Sequence, residues 1–374
     1  GTGNAYFATQ YHKMSKAKNF NEFESALKMM QNPMLNVIYA DKEGNSFYLF
    51  NGNIPKRSEG DWAFWQGKVD GTKSKYIWNE NHPYTDLPRI LNPETGFIQN
   101  ANDPPWLATY PSKLDPQNFP PYLSPVEMPL RPQRSINMIK DDASITFEEL
   151  VAYKLNTGME AADRFLDDLL EAIKLHPDTT AERASLILQK WDKATDVDSR
   201  GAVLFARWLN KLTDSMYAIP WDPAHPVTTP DGLNNPKQAV QLLIAAAKET
   251  EKQYGSLDVK WGDVYRFKMG EHDYPANGGS GYHGVFRTMH YSYNKQTNKN
   301  YAIFGDTFVA VIEFGKKIKA EVLLSYGNAT QPGSKYIGDQ LKLLSEKKLR
   351  PALLMKKDVE KNADKREVLS IDNL

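Results

Sequence analysis

Apolar residues recur with helical spacing at Phe23, Ala26, Leu27 and Met30, which predicts a helix over residues 21–31. Two apolar-rich runs, 36–41 and 46–50, flank Lys42, Glu43, Gly44 and Asn45. That arrangement predicts a β-hairpin with a glycine in its turn. From residue 79 to 132 the periodicity stops. Pro83, Pro104, Pro105, Pro120 and Pro121 fix φ and remove backbone donors, so regular structure is expected to be scarce there. The same stretch carries Tyr84, Phe97, Trp106, Tyr110, Phe119 and Tyr122, whereas a free linker is polar and poor in aromatic residues. A packed covering loop is expected.

The pattern then turns helical. Thr146, Phe147, Glu148 and Glu149 form a capping-box sequence, in which hydroxyl and carboxylate satisfy backbone donors at a helix start. Amphipathic stretches follow at 160–175, 180–192, 199–212 and 236–254, the last opening on Pro236. Beyond Gly255 strand-like runs occupy 257–267, 284–293, 301–304, 307–314 and 319–326, with a final helix expected over 335–347. No repeat of solenoid or propeller period is present. The predicted organisation is therefore a β-containing part (1–135), a helical insertion (136–255) and a second β-rich part (256–374). Strands before about residue 130 and after about residue 255 are expected to share sheets, since neither region seen alone supplies an obvious cover.

Composition removes several function classes. With Lys and Arg at 46 and Asp and Glu at 46 across 374 residues, no net charge draws the chain to nucleic acid or an anionic membrane. The absence of cysteine excludes disulfides, thiolate metal sites and cysteine nucleophiles. The longest apolar run, near Leu242 to Ala247, is far below the roughly 18 residues of a membrane span.

Candidate chemistry is sparse. Residues 279–284 (Gly-Ser-Gly-Tyr-His-Gly) match a dinucleotide fingerprint in letters, but a strand-like run follows instead of a helix, so a flexible glycine-rich loop is expected. The histidines, 12, 82, 176, 225, 272, 283 and 290, take no metal-ligand spacing, although His272, His283 and His290 fall in one region. No Gly-x-Ser-x-Gly elbow occurs. The acid pairs Asp141-Asp142 and Asp167-Asp168 read as solvated helix positions. The segment from Gly96 to Trp106 is more distinctive: an apolar run expected to be a strand ends in Asn100, Asn102 and Asp103, then two prolines. Such amides could donate to a developing oxyanion, and they are also ordinary turn formers.

At this segment the chain resembles the penicillin acylase family of N-terminal-nucleophile hydrolases, in particular its aculeacin and acyl-homoserine-lactone acylase branch. The resemblance is carried, in order, by Asn36 to Asn45, by Phe97 to Asp103 with Trp106, and by Leu130-Arg131 before the capped helix. It continues through Leu257 to Gly262, Gly305 to Phe314, and Ser325 to Pro332 with Tyr336, Asp339 and Gln340.

The resemblance implies an α+β chain, part of an αββα sandwich with an inserted helical region. In such enzymes an N-terminal Ser attacks an amide carbonyl, its own α-amine is the base, and an Asn side chain with backbone N–H groups stabilises the oxyanion. By position Asn102 matches the oxyanion-hole Asn, and Arg131 matches the arginine that orients the site, with Arg134 as its rival. The chain corresponds to the C-terminal part of the catalytic β subunit and is expected to lack the nucleophile, because Gly1 precedes Thr2 and neither neighbour matches a cleavage junction. Its expected partners are the missing N-terminal segment or α subunit of the same precursor and a small-molecule amide, with no nucleic acid. A periplasmic or secreted location is implied. No cofactor is expected; the resemblance allows calcium, for which no ligands can be placed. The substrate would be a β-lactam, a lipopeptide or an acyl-homoserine lactone, with the branch leaning toward longer fatty acyl chains. The alternative is a non-catalytic binding or structural protein on the acylase scaffold.

Overall fold

The structure is a computed structural model and describes residues 5–363 and 365–367. Helices α1 (Phe7–Lys16) and α2 (Phe20–Leu27) open the chain, and Asn19 caps α2 by accepting from the Glu22 N–H at 3.0 Å. The predicted hairpin forms from β1 (Met34–Ala40) and β2 (Ser46–Gly52). Its turn is held by the Asp41 carboxylate, which accepts from the Asn45 N–H at 3.0 Å while Gly44 supplies a φ of 88°. A short helix α3 (Trp62–Gln66) precedes β3 (Arg89–Leu91), which pairs with β2 to complete a three-stranded sheet. Phe47, Leu49 and Ile90 of this sheet pack on Leu27 and on Trp106, Ala108, Leu114 and Leu123 from the proline-rich segment. That segment is thus the covering loop its composition predicts.

The middle of the chain comprises α4 (Leu130–Ile139), α5 (Phe147–Lys154), α6 (Glu160–Leu175), α7 (Thr179–Leu188) and α8 (Ala202–Leu209). A two-stranded ribbon of β4 (Tyr217–Ile219) and β5 (Asp231–Leu233) leads to α9 (Pro236–Tyr254). The capping box at Thr146 and Glu149 forms as predicted, and Pro236 occupies the first turn of α9. Phe165, Leu169, Leu204, Phe205, Trp208, Leu243 and Ala246 make the core of this layer. Leu130, Trp261, Val264 and Val285 belong to the same core, so it extends into both flanking regions.

After α10 (Trp261–Val264) come β6 (Tyr265–Met269), β7 (His272–Pro275), β8 (Met289–Asn294) and β9 (Lys299–Gly305), in the order β7-β6-β9-β8 with β6 and β9 parallel. A further sheet, β10-β11-β12, uses Phe308–Glu313, Lys319–Leu324 and Arg350–Pro351, and α11 (Leu341–Ser345) lies against β6 and β7, its Leu341 and Leu344 in one apolar cluster with Phe267, Val309 and Leu323.

Four sequence expectations are corrected. The run 257–267 is not one strand, because Leu257, Trp261 and Val264 turn into the helical core and only Tyr265–Met269 is extended. The helix over 335–347 shrinks to α11, since Gly338 takes a φ of 67° and turns the chain before Leu341. The apolar run before Asn100 is not a strand either; with Gly96 and Asn102 both at positive φ, residues 96–103 form an irregular turn. Finally, no sheet among the described residues contains strands from both sides of the helical segment. Each β region has its own cover: the loop residues Trp106, Leu114 and Leu123 on one side, Leu341 and Leu344 on the other.

The helical core makes the stability prediction. Phe165 is fully buried whereas Leu175 on the same helix is 61% exposed. Phe165→Ala is expected to cost roughly 3–5 kcal/mol, and Leu175→Ala less than about 0.5 kcal/mol, in urea unfolding followed by circular dichroism. Equal costs would show that α6 does not organise the core.

Candidate active site

The turn at 100–105 is built by its own side chains. Asn100 Oδ1 accepts from the Asn102 N–H at 2.9 Å, and Asn100 Nδ2 donates to the Asp103 carbonyl at 3.1 Å. These bonds hold Asn102 at a φ of 68°, a left-handed conformation that asparagine tolerates better than most residues. Asp103 lies beneath the turn with 4% exposure, its carboxylate accepting from the Ala101 N–H at 2.6 Å and from Gln99 Nε2 at 3.3 Å. Burial pushes the Asp103 carboxyl up to about 6, against the opposing pull of these donors and of Arg131. The next residues are locked by Pro104, Pro105 and the buried Trp106, whose Nε1 donates to the Pro125 carbonyl at 2.7 Å.

Arg131 reaches this turn from the first turn of α4. A cation at a helix N-terminus opposes the helix dipole, so it requires acceptors elsewhere. It has three: Nε donates to the Phe286 carbonyl at 3.0 Å, and Nη1 donates to the Ala101 carbonyl at 2.8 Å and to Asn102 Oδ1 at 2.9 Å. The last bond decides the orientation of the asparagine. With its oxygen held by the guanidinium, Asn102 presents its Nδ2 end as donor. Burial lowers the Arg131 pKa while Asp306 and Asp103 raise it, and a guanidinium stays charged under such opposing effects.

Three further residues surround the pair. The Arg131 guanidinium and the Lys154 ammonium lie 5.7 and 5.4 Å from the Phe286 ring centre, and Lys154 Nζ pairs with Asp306 at 2.8 Å. Gly281 supports Arg131 from behind: a Cβ there would sit 3.1 Å from Arg131 Cδ and 3.2 Å from Thr288 Oγ1. The glycine-rich segment is therefore a close-packing loop and not the flexible one expected, and it runs into β8, not into a helix. At Gly284, with φ at 78°, a Cβ would fall 2.4 Å from Glu160 Cβ.

The structure brings Asn102 and Arg131 together and places Arg134 elsewhere. One turn further along α4, Arg134 donates to Asn156 Oδ1 at 3.2 Å and pairs with Asp163 at 3.2 Å and Glu160 at 3.6 Å. The three clustered histidines do not converge: His283 bonds Asn210, His290 stacks on Phe304 and His272 on Tyr274. Among the described residues no three His, Asp or Glu side chains are placed to hold a metal ion. Asp103 and Asp306 lie in segments singled out in the sequence but with no role assigned to them there, and Lys154 and Phe286 were not singled out at all. Gly281 also had a visible signal, the glycine spacing.

The sequence pattern of the penicillin amidase family matches residues 2–361. The chain belongs to the penicillin amidase family. Among its relatives, the acyl-homoserine lactone acylase PvdQ of Pseudomonas syringae pv. syringae (strain B728a) is 26% identical over 373 residues, covering 90% of this chain and 47% of the relative. Aculeacin-A acylase of Actinoplanes utahensis is 25% identical over 382 residues, with 90% and 47% covered. The chain thus spans about half the length of the curated relatives it matches. A solved thermostable penicillin G acylase from Alcaligenes faecalis superposes with a TM-score of 0.64 at 17% identity, covering 99% of this chain and 73% of that one. At that identity the likeness establishes the family fold, the N-terminal-nucleophile hydrolase fold that the resemblance implies.

The buried carboxyl of this family member generates a pH prediction. A carboxyl raised to about 6 in the folded chain binds its proton more tightly than in the unfolded chain, where it titrates near 3.8. Its contribution to stability is full below about pH 4 and is lost as pH rises through about 6. Relative to Asp103→Asn, the wild-type chain should lose stability across that window in urea unfolding at stepped pH. Parallel curves would show that burial does not perturb Asp103.

Proposed function

We propose that this chain supplies the oxyanion-binding part of an acylase that hydrolyses the amide linking an acyl group to an amine. The observation that carries this reading is the bond from Arg131 Nη1 to Asn102 Oδ1 at 2.9 Å, which turns the asparagine into an oriented N–H donor. The relatives named as acyl-homoserine lactone, aculeacin-A and penicillin G acylases support an acyl-amide as the substrate class.

In this reading the nucleophile is an N-terminal Ser belonging to the part of the relatives' length that this chain does not span. The Ser Oγ bonds to the amide carbonyl carbon as its proton passes to the free α-amine, and the carbonyl oxygen becomes an oxyanion. Asn102 Nδ2 donates to that oxygen, and the Arg131 charge beside it stabilises the developing negative charge. Collapse breaks the C–N bond, the amine leaves with the proton, and water then cleaves the acyl ester by the same sequence. Apolar residues exposed on strands support a second segment of the same precursor as partner: Ile38 on β1, Ile303 on β9, and Phe308 and Ile312 on β10 are each 46–60% exposed. Family membership supports a periplasmic or secreted location. No helix among the described residues is long and apolar enough to cross a membrane.

Two outcomes test this. This chain alone should not turn over an acyl-amide, and it should do so once assembled with the Ser-bearing segment. In the assembled enzyme Asn102→Ala should lower kcat by roughly 10²–10³ with a much smaller change in KM, equivalent to about 2.7–4 kcal/mol of transition-state stabilisation. Arg134→Ala, which breaks contacts to Asn156, Glu160 and Asp163 and none to Asn102, should leave kcat within about threefold. An Asn102→Ala enzyme with unchanged kcat, or an Arg134→Ala enzyme that is dead while folded, refutes the assignment.

A further inference from the structure

Away from Asn102 and Arg131, a cavity of about 540 Å³ opens where α8 and α9 meet the four-stranded sheet. Its volume falls in the range of small-molecule sites. One wall is helical, with Arg207, Lys211, Glu249 and Tyr254; the sheet presents Tyr265 and Tyr293. A smaller cavity of about 250 Å³ continues it, sharing Asn210, Tyr265 and Asn300.

The charge in this cavity is unbalanced. Lys211 Nζ pairs with Glu249 Oε1 at 2.8 Å, and these two cancel. Arg207 has no carboxylate at ion-pair distance among the described residues; its Nη2 donates to the neutral Gln253 Oε1 at 2.5 Å, and its guanidinium lies 5.5 Å from the Tyr254 ring centre. A single positive charge therefore faces the cavity uncompensated. The surroundings are rigid. Tyr265 stacks on the buried Trp261 with ring centres 3.8 Å apart and planes 14° apart. Asn210 is fixed by its oxygen, which accepts from His283 Nε2 at 2.7 Å, leaving its Nδ2 as the donor end.

One uncompensated guanidinium, an amide donor and a face of tyrosine rings together select one negative charge on an apolar body. We propose that this cavity binds a small monocarboxylate, its carboxylate on Arg207 and its aryl or alkyl part against the tyrosines. Guanidinium forks match carboxylate geometry, and the site needs no contribution from Asn102 or Arg131.

Isothermal titration of this chain at pH 7 with sodium phenylacetate and sodium octanoate, and with phenylacetamide as the uncharged control, tests the proposal. Saturable binding of a carboxylate is expected, at least tenfold tighter than that of phenylacetamide. Arg207→Gln should weaken it at least tenfold, Glu249→Gln should tighten it by removing the competing negative charge, and Arg131→Ala should leave Kd within about twofold. Should Arg207→Gln fail to fold, the opposite shifts expected for Glu249→Gln and for Tyr293→Ala, which removes an exposed ring from the cavity wall and should weaken binding, decide the matter. Equal affinity for acid and amide, no saturable binding, or loss of binding in Arg131→Ala in place of Arg207→Gln would overturn it.

Discussion

A positive charge at the start of a helix has to be satisfied from outside that helix, and at Arg131 this requirement ties three distant stretches of chain together. Its guanidinium takes the Ala101 carbonyl, the Asn102 side chain and the Phe286 carbonyl, so the covering loop, α4 and the glycine-rich loop meet at one group. Hydrogen bonds to a charged donor are stronger than neutral ones, and these are partly screened from water by the loops that supply them. Gly281 lets the loop approach the arginine closely, and the Phe286 ring lies against both the guanidinium and the Lys154 ammonium. The site is thus a consequence of packing between regions that share no sheet.

The second constraint is the 100–105 turn. An asparagine at positive φ is tolerable only where its neighbours fix it, and here Asn100 holds the backbone on both sides while the Asp103 carboxylate takes the Ala101 N–H. The cost is a carboxyl buried deeply enough to be pushed up to about 6. Division of labour follows: Asn100 and Asp103 shape the backbone, and Asn102 keeps a free donor end. Asn100 therefore belongs to the turn and not to a strand behind it.

Local signals carried most of the secondary structure. The hairpin with Asp41 and Gly44, the capping box of Thr146 and Glu149, and the start of α9 at Pro236 all depend on residues within a few positions of each other, and each formed as predicted. Asn102 and Arg131 came from resemblance, and the structure brings them into contact. What was illegible is nonlocal. The acceptors of Arg131 lie up to 155 residues away, and the burial of Asp103 depends on a loop with no periodicity to read. The expected shared sheet failed for the same reason, because Trp106, Leu114 and Leu123 cover the first sheet from an irregular segment whose packing no pattern announces.

In the proposed reaction Arg131 acts largely through the orientation of Asn102. A double-mutant cycle on kcat in the assembled enzyme measures that coupling directly, using Asn102→Ala, Arg131→Ala and both together. If the arginine holds the amide, the asparagine substitution should cost far less in the Arg131→Ala background than in wild type, a coupling of at least about 1.5 kcal/mol. Additive losses, each substitution costing the same whether or not the other is present, would contradict that role for Arg131.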